Sequence, residues 1–112
     1  MNETSNRVVL MGHLGKDPEV RTFGENKKLA KLSLAVNGGF KTVNGETTMQ
    51  TEWHNVVAWG KLAEWAEENF SRGNRICVEG KLSSRTYTGK DGVKRYTTEI
   101  VASALELADQ KN

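Results

Sequence analysis

Apolar and polar residues alternate along most of this chain with a period of two, the spacing that puts one face of a β-strand into a core. Residues 7–14 (RVVLMGHL) form a β-type run, closed by a Gly15-Lys16-Asp17-Pro18 turn that holds the chain's one proline. Residues 29–36 set Ala30, Leu32, Leu34 and Val36 on one face against Lys31, Ser33 and Ala35 on the other. This predicts a second strand with one side buried. Residues 37–50 are polar and glycine-rich with an Asn44-Gly45 turn signal, and so read as a long flexible excursion that strands Phe40 in a loop. A third strand is predicted over 51–59, where Trp53, Asn55, Val57 and Trp59 share a face. The spacing then becomes helical over 61–70: Leu62, Trp65, Ala66 and Phe70 make one stripe, which assigns Trp65 to the core. Glu64, Glu67 and Glu68 fall on the solvent side, and Gly73 stands where the helix should stop. Alternation resumes over 75–82 with Ile76, Val78 and Leu82 inward, 88–93 supplies a hairpin tip, and 96–107 closes the sheet as a fifth strand.

The predicted order is β-β-β-α-β-β, an all-β chain with one short helix. A five-stranded Greek-key barrel of the oligonucleotide-binding type (OB-fold) has this order, with Gly12, Gly60 and Gly80 at places where a curved strand could bend. An SH3-like barrel does not need a ten-residue helix at that point, and an open α+β sheet is the other alternative. A length of 112 residues fits a single domain, 1–112, with about 1–5 and 108–112 as flexible ends. No stretch approaches the roughly 18 apolar residues of a membrane span, and the first ten residues lack the blocks of a signal peptide. No membrane role and a cytoplasmic location are expected. A lone Cys77 excludes an internal disulfide and reads as a small hydrophobe.

Candidate chemistry narrows the picture by elimination. None of the Gly-Lys pairs has the earlier glycine and following hydroxyl of a phosphate-cradling loop. His13 and His54 lack partners at metal-ligand spacing, and Glu64, Glu67 and Glu68 spread along an outer helix face rather than converging. No cofactor, no metal and no enzymatic activity are therefore expected, a small nuclease being the rival from another class. The net charge is only +2, but it is sorted: 81–95 carries Lys81, Arg85, Lys90, Lys94 and Arg95 against Asp91 alone. Trp53 and Trp59 project from one sheet face, with Phe40 in the preceding loop and Tyr87 in the last hairpin. Around them stand Lys41, Lys61, Arg72, Arg85 and Arg95. Unpaired bases offer π-faces to such rings, at about 1–3 kcal/mol per stack, while cations neutralise the phosphates. A partner of single-stranded nucleic acid follows, with weak sequence preference. A related module for RNA or for protein contacts, such as a primosome component, is the nearer rival.

The blocks GHLGKDPEVR (12–21), 32–35, TEWHNVVAWGKLAE (51–64), Gly80-Lys81-Leu82 and RYTTEI (95–100) closely resemble the bacterial-type single-stranded DNA-binding proteins. The likeness covers nearly the whole chain. It implies an oligonucleotide-binding barrel that assembles as a homotetramer, a dimer of dimers, and wraps single-stranded DNA for replication, recombination and repair near the nucleoid. Carried over by position, it implies base stacking at Phe40, Trp53, Trp59 and Tyr87. Phosphate contacts are implied at Lys61, Arg72, Arg85 and Arg95, with Lys41 and Arg21 weaker. Phe40 and Tyr87 stand where members often have Trp, and Thr86 where some have a base, which bears on footprint and affinity. His54 and Cys77 are implied interface residues. The apolar run Val8, Val9, Leu10 and Met11 is richer than a free edge should be and predicts pairing with another subunit. Members typically continue into a polar linker and an acidic tip ending in Phe; the ending ALELADQKN has neither, so either the chain is a trimmed or naturally short form or the protein protects DNA without tail-mediated recruitment of other proteins.

Overall fold

The computed structural model of the chain describes residues 6–25 and 27–108. The elements run β1 (Val8–Leu14), β2 (Glu19–Phe23), β3 (Lys27–Val43), β4 (Glu46–Trp59), α1 (Lys61–Asn69), β5 (Arg75–Thr88) and β6 (Lys94–Leu107). The strands form one sheet in the order β1-β5-β6-β4-β3-β2, and a further pairing of β1 with β3 closes it into a barrel. That closure rests on His13 opposite Ala35 and Leu14 opposite Leu34. All pairings are antiparallel except β4 with β6, where Val56 faces Ile100 and Val57 faces Val101. This is the OB-fold barrel that the alternation predicts.

Period two puts Leu32, Leu34, Val56, Ala58, Ile76, Val78 and Ile100 inside the barrel, each almost wholly buried. The helix seals one end with Ala63, Ala66 and Phe70. Its entry is fixed by Gly60, whose φ of 66° suits glycine and whose N–H donates to Lys28 O at 2.9 Å. Lys28 Nζ then donates to Glu67 Oε1 at 2.9 Å, a hydrogen bond that raises the lysine's pKa. Gly12 and Gly80 are places of close strand approach: a Cβ on Gly12 would strike the carbonyl of Ala35, and one on Gly80 the carbonyl of Val101. At Gly80 the β5–β6 register also shifts, from Glu79 opposite Ala104 to Gly80 opposite Ala102.

Several expectations are corrected. A short sixth strand, β2, joins the five predicted and folds back on β3. Residues 37–50 are no loose excursion: β3 and β4 continue past the barrel as a hairpin ribbon, turned at Asn44 (φ 53°) and Gly45 (φ 82°). The ribbon escaped the hydropathy pattern because both of its faces meet solvent, so nothing along it alternates. β5 and β6 likewise run out to Thr88 and Lys94. Leu82 is exposed although it lies opposite the buried Ile100, so its predicted place in the core is corrected; its backbone N–H donates to Asn6 Oδ1 at 3.0 Å. Trp65 is 36% exposed and lies edge-on over Phe70 at 5.2 Å between ring centres, at the margin of the core rather than in it. Gly60 turns the chain into the helix instead of bending a strand. Of the ends expected to be flexible, 1–5 and 109–112 lie outside the described residues, whereas the Ala108 N–H donates to Arg75 O at 2.8 Å.

Candidate functional site

On β4 the residues alternate between core and solvent with large side chains on the solvent side. Val56 and Ala58 are fully buried, while Trp53 is 62% and Trp59 51% exposed. Register extends this face across the sheet: Trp53 lies opposite Ala35, Asn55 opposite Ser33, and Val57 opposite Lys31. Trp59 lies opposite Leu29, which in turn lies opposite Arg21. Val57 points the same way as the tryptophans yet is buried, because the β5–β6 ribbon covers it and makes it the floor of a cleft.

That cleft has two lobes, of about 310 and about 410 Å³, which share Lys31, Val57, Arg85 and Glu99. The first lobe adds Lys16, Asn55 and Thr97, and the second adds Phe23, Leu29, Trp59 and Val101. Where the lobes meet, Arg85 Nη2 lies 2.9 Å from Glu99 Oε2, with the arginine side chain well exposed and the carboxylate mostly covered. Lys16 Nζ lies 2.9 Å from Glu19 Oε2, and its hydrogen bond holds the Glu19 carboxyl below the ordinary range.

Trp53 is seated by the loop between β1 and β2. A Cβ on Gly15 would come within 2.6 Å of Trp53 Cζ3, so the indole lies directly against a residue with no side chain. The same loop is anchored at both sides: the Gly15 N–H donates to Ser33 O at 3.0 Å, and Asp17 Oδ1 accepts from the Arg72 N–H at 2.8 Å. Arg72 thus belongs to the neighbouring loop, and Lys61 opens the helix two residues after Trp59.

Phe40 reaches the tryptophan face through a bulge. Plain alternation from Val36 would give residue 40 the inward parity, but Gly38 and Gly39 (φ 100°) together face Gln50, and the extra residue reverses the parity. Phe40, 71% exposed, therefore pairs with Met49 on the side of β4 that carries Trp53. On the other ribbon Tyr87 is exposed opposite Arg95, whose Nη2 lies 2.6 Å from Asp91 Oδ2.

Of the residues that the sequence singles out, the barrel wall brings Trp53, Trp59, Arg85 and Arg21 to one face. Phe40 and Lys41 stand on one ribbon and Tyr87 and Arg95 on the other. The structure adds Phe23, Lys31, Lys16 and Glu99, which the sequence pattern does not single out as site residues. Phe23 lies on the strand that alternation did not reveal, while Lys31 had only its outward parity as a signal. Tyr96, the most exposed aromatic, faces Thr86 on the ribbon surface opposite Tyr87. Among the described residues no three His, Cys, Asp or Glu side chains converge as a metal would require, and no helix is long and apolar enough to cross a membrane. His54 Nε2 is 3.7 Å from Glu52 Oε1, and Cys77 is half-buried opposite Met11.

Comparison with known proteins bears on what such a face serves. The chain is similar to single-stranded DNA-binding protein 1 of Chlorobaculum tepidum, 39% identical over 108 residues that make up 96% of this chain and 67% of that protein. It is 37% identical to a single-stranded DNA-binding protein of Neisseria meningitidis, covering 96% of this chain and 62% of the relative. For the protein of the same name from Xanthomonas axonopodis pv. citri the identity is 40%, over 91% and 57%. The chain thus spans between 57% and 67% of the length of these relatives. Residues 5–108 match the pattern of a single family, and with relatives at this level over nearly the whole chain, this protein belongs to the single-strand binding protein family.

Proposed function

We propose that the chain binds and protects single-stranded DNA without reading its sequence, in the service of replication, recombination and repair. The observation that carries this reading is the pair Trp53 and Trp59, held outward on one strand whose other face is the barrel core. Exposing two indoles costs solvation free energy that a stacked base would recover, at about 1–3 kcal/mol per base. Phe40 and Tyr87 extend the stacking path onto the two ribbons. Lys61, Arg72, Arg85 and Arg95, with Lys41 and Arg21, take the phosphates. Contacts of this kind carry no base identity, so binding is sequence-tolerant.

The binding form is a homotetramer built as a dimer of dimers. This is supported by β1, whose pairing with β3 covers only His13 and Leu14, leaving Val8 to Gly12 with one edge unpaired among the described residues. Val9 and Met11 are 53% and 45% exposed on it, and an apolar open edge is a template for another chain. The protein works in the cytoplasm beside the nucleoid, as a binder rather than a catalyst.

Titration of tryptophan emission with oligo(dT), with duplex DNA and oligo(rU) as competitors and mass measured by light scattering, tests the reading. Saturable quenching by oligo(dT) that duplex does not reverse, on a tetrameric species, is expected. Equal preference for RNA, or cutting of labelled strands in Mg²⁺, would replace it with a rival.

A further inference from the structure

Phe23 has no part in the barrel's core cluster, yet its ring is held on the same outer face as the two strand tryptophans. It is 44% exposed on the five-residue β2. Its centre is 6.3 Å from that of Trp59, with the ring planes inclined by 35°. At that distance and tilt the rings do not stack on each other, and both residues line one cleft lobe of about 410 Å³. The lobe is large enough to enclose a small planar ligand, and its floor of Val57 and Val101 is apolar. Arg21 shares Phe23's face of β2, two residues away, and lies in register with Leu29 and through it with Trp59. Hydrophobic rings and an apolar floor, with Lys31, Arg85 and the Glu99 carboxylate in the same lining and Arg21 on the adjoining strand, suit one nucleotide of an unpaired strand.

We infer that Phe23 is a base-contacting residue: with Trp59 it forms a two-ring wall on which a nucleobase stacks, and Arg21 meets the adjoining phosphate. This rests on the single-stranded DNA reading above and adds to it a fifth aromatic contact and a strand path that leaves the barrel across β2. The competing role is passive, with Phe23 merely buttressing Trp59.

The two roles separate by substitution. Phe23→Leu keeps apolar bulk behind Trp59 but removes the π-face, whereas Phe23→Tyr keeps the face. Binding of an oligo(dT) too short to bridge subunits should weaken about 5- to 150-fold in Phe23→Ala and comparably in Phe23→Leu, and stay within about twofold in Phe23→Tyr. The salt slope should not change, since no charge is removed. Irradiation of a 5-iodouracil oligonucleotide should give an adduct on the peptide containing Phe23. Wild-type affinity in Phe23→Leu, or in Phe23→Ala, with the unaltered chain binding normally, would overturn the role of Phe23 alone. Failure of the unaltered chain to bind would remove the underlying reading as well.

Discussion

The indole of Trp53 rests on the backbone of Gly15, so closely that a Cβ there would lie 2.6 Å from Cζ3 and 2.8 Å from Cη2. A methyl group must therefore tilt the ring. Gly15→Ala is expected to weaken oligo(dT) binding by up to one stack, about 1–3 kcal/mol, while leaving thermal stability nearly unchanged because Trp53 is largely solvent-exposed. A double-mutant cycle with a labelled oligonucleotide checks the cause: if Gly15 acts through the indole, Gly15→Ala in a Trp53→Ala background should cost almost nothing further.

Arg85 reaches the cleft already bonded to Glu99, at 2.9 Å. The carboxylate offsets part of the positive potential that phosphates would meet. Arg85→Ala should weaken binding to all sequences alike and flatten the dependence of log affinity on log salt, by about 0.7 for a single phosphate that is no longer neutralised. Glu99→Gln should do the reverse, tightening binding at low salt. A change in base preference with an unchanged slope in Arg85→Ala would show that the residue reads bases instead.

How much of the molecule is legible in its sequence follows from which residues have one face in the core. The alternation of Ala30, Leu32, Leu34 and Val36, and of Trp53 and Trp59 against Val56 and Ala58, is readable because burial on one side forces period two. The ribbons are not, because at Thr42, Thr47, Thr86 and Tyr96, all exposed, β3–β4 and β5–β6 run out beyond the barrel and no core imposes alternation. Phe40 illustrates the difference. It stands out as an aromatic without a core, but its face depends on the bulge at Gly38 and Gly39, which pairing with Gln50 alone defines. Phe23 is hidden in the same way, on a short strand with only Val20 partly buried.

The pair Arg7 and Glu79 gives the fold a modest dependence on pH. Arg7 Nε donates to Glu79 Oε2 at 2.9 Å across β1 and β5, and this hydrogen bond, then the charge, holds the Glu79 carboxyl below its ordinary range. A group with a depressed folded-state pKa contributes stability above its unfolded pKa and loses it as pH falls through the folded one. Both side chains are exposed, so the contribution is small and screened by salt. Thermal melts of the parent and Arg7→Gln should differ most near neutrality and converge in acid. Lys28 has the opposite sign: the hydrogen bond to Glu67 raises its pKa, so its contribution is fully present below the ordinary lysine value and is lost as pH rises through the raised folded-state one.

If the open edge of β1 carries assembly, a charge placed on it should dissolve the assembly before it unfolds the barrel. Met11 is exposed opposite Cys77, on the outer face of β1 and away from the core. Met11→Glu is expected to lower the mass seen by light scattering toward that of a dimer or monomer, with the β-sheet circular dichroism retained. A parent chain that is a stable monomer at micromolar concentration would contradict the proposal directly.

The tryptophans divide into two groups that should respond to DNA with opposite consequences. Trp53 and Trp59 face the cleft side from one strand, whereas Trp65 lies on the helix with its ring edge-on to Phe70. Stacking of a base quenches an indole, so oligo(dT) should quench much but not all of the emission. Trp53→Ala and Trp59→Ala should each remove part of the quench and cost about 1–3 kcal/mol of binding per stack removed. Trp65→Phe should leave affinity intact and raise the fractional quench, because it deletes emission that the ligand does not reach. Partial exposure of Trp65, at 36%, makes its emission sensitive to solvent quenchers such as iodide, and this sensitivity should persist in the DNA-bound state while that of the strand tryptophans falls. Should Trp65 instead account for the quench, with Trp53 and Trp59 replaceable at no cost to binding, the DNA would have to run over the helix and not along β4.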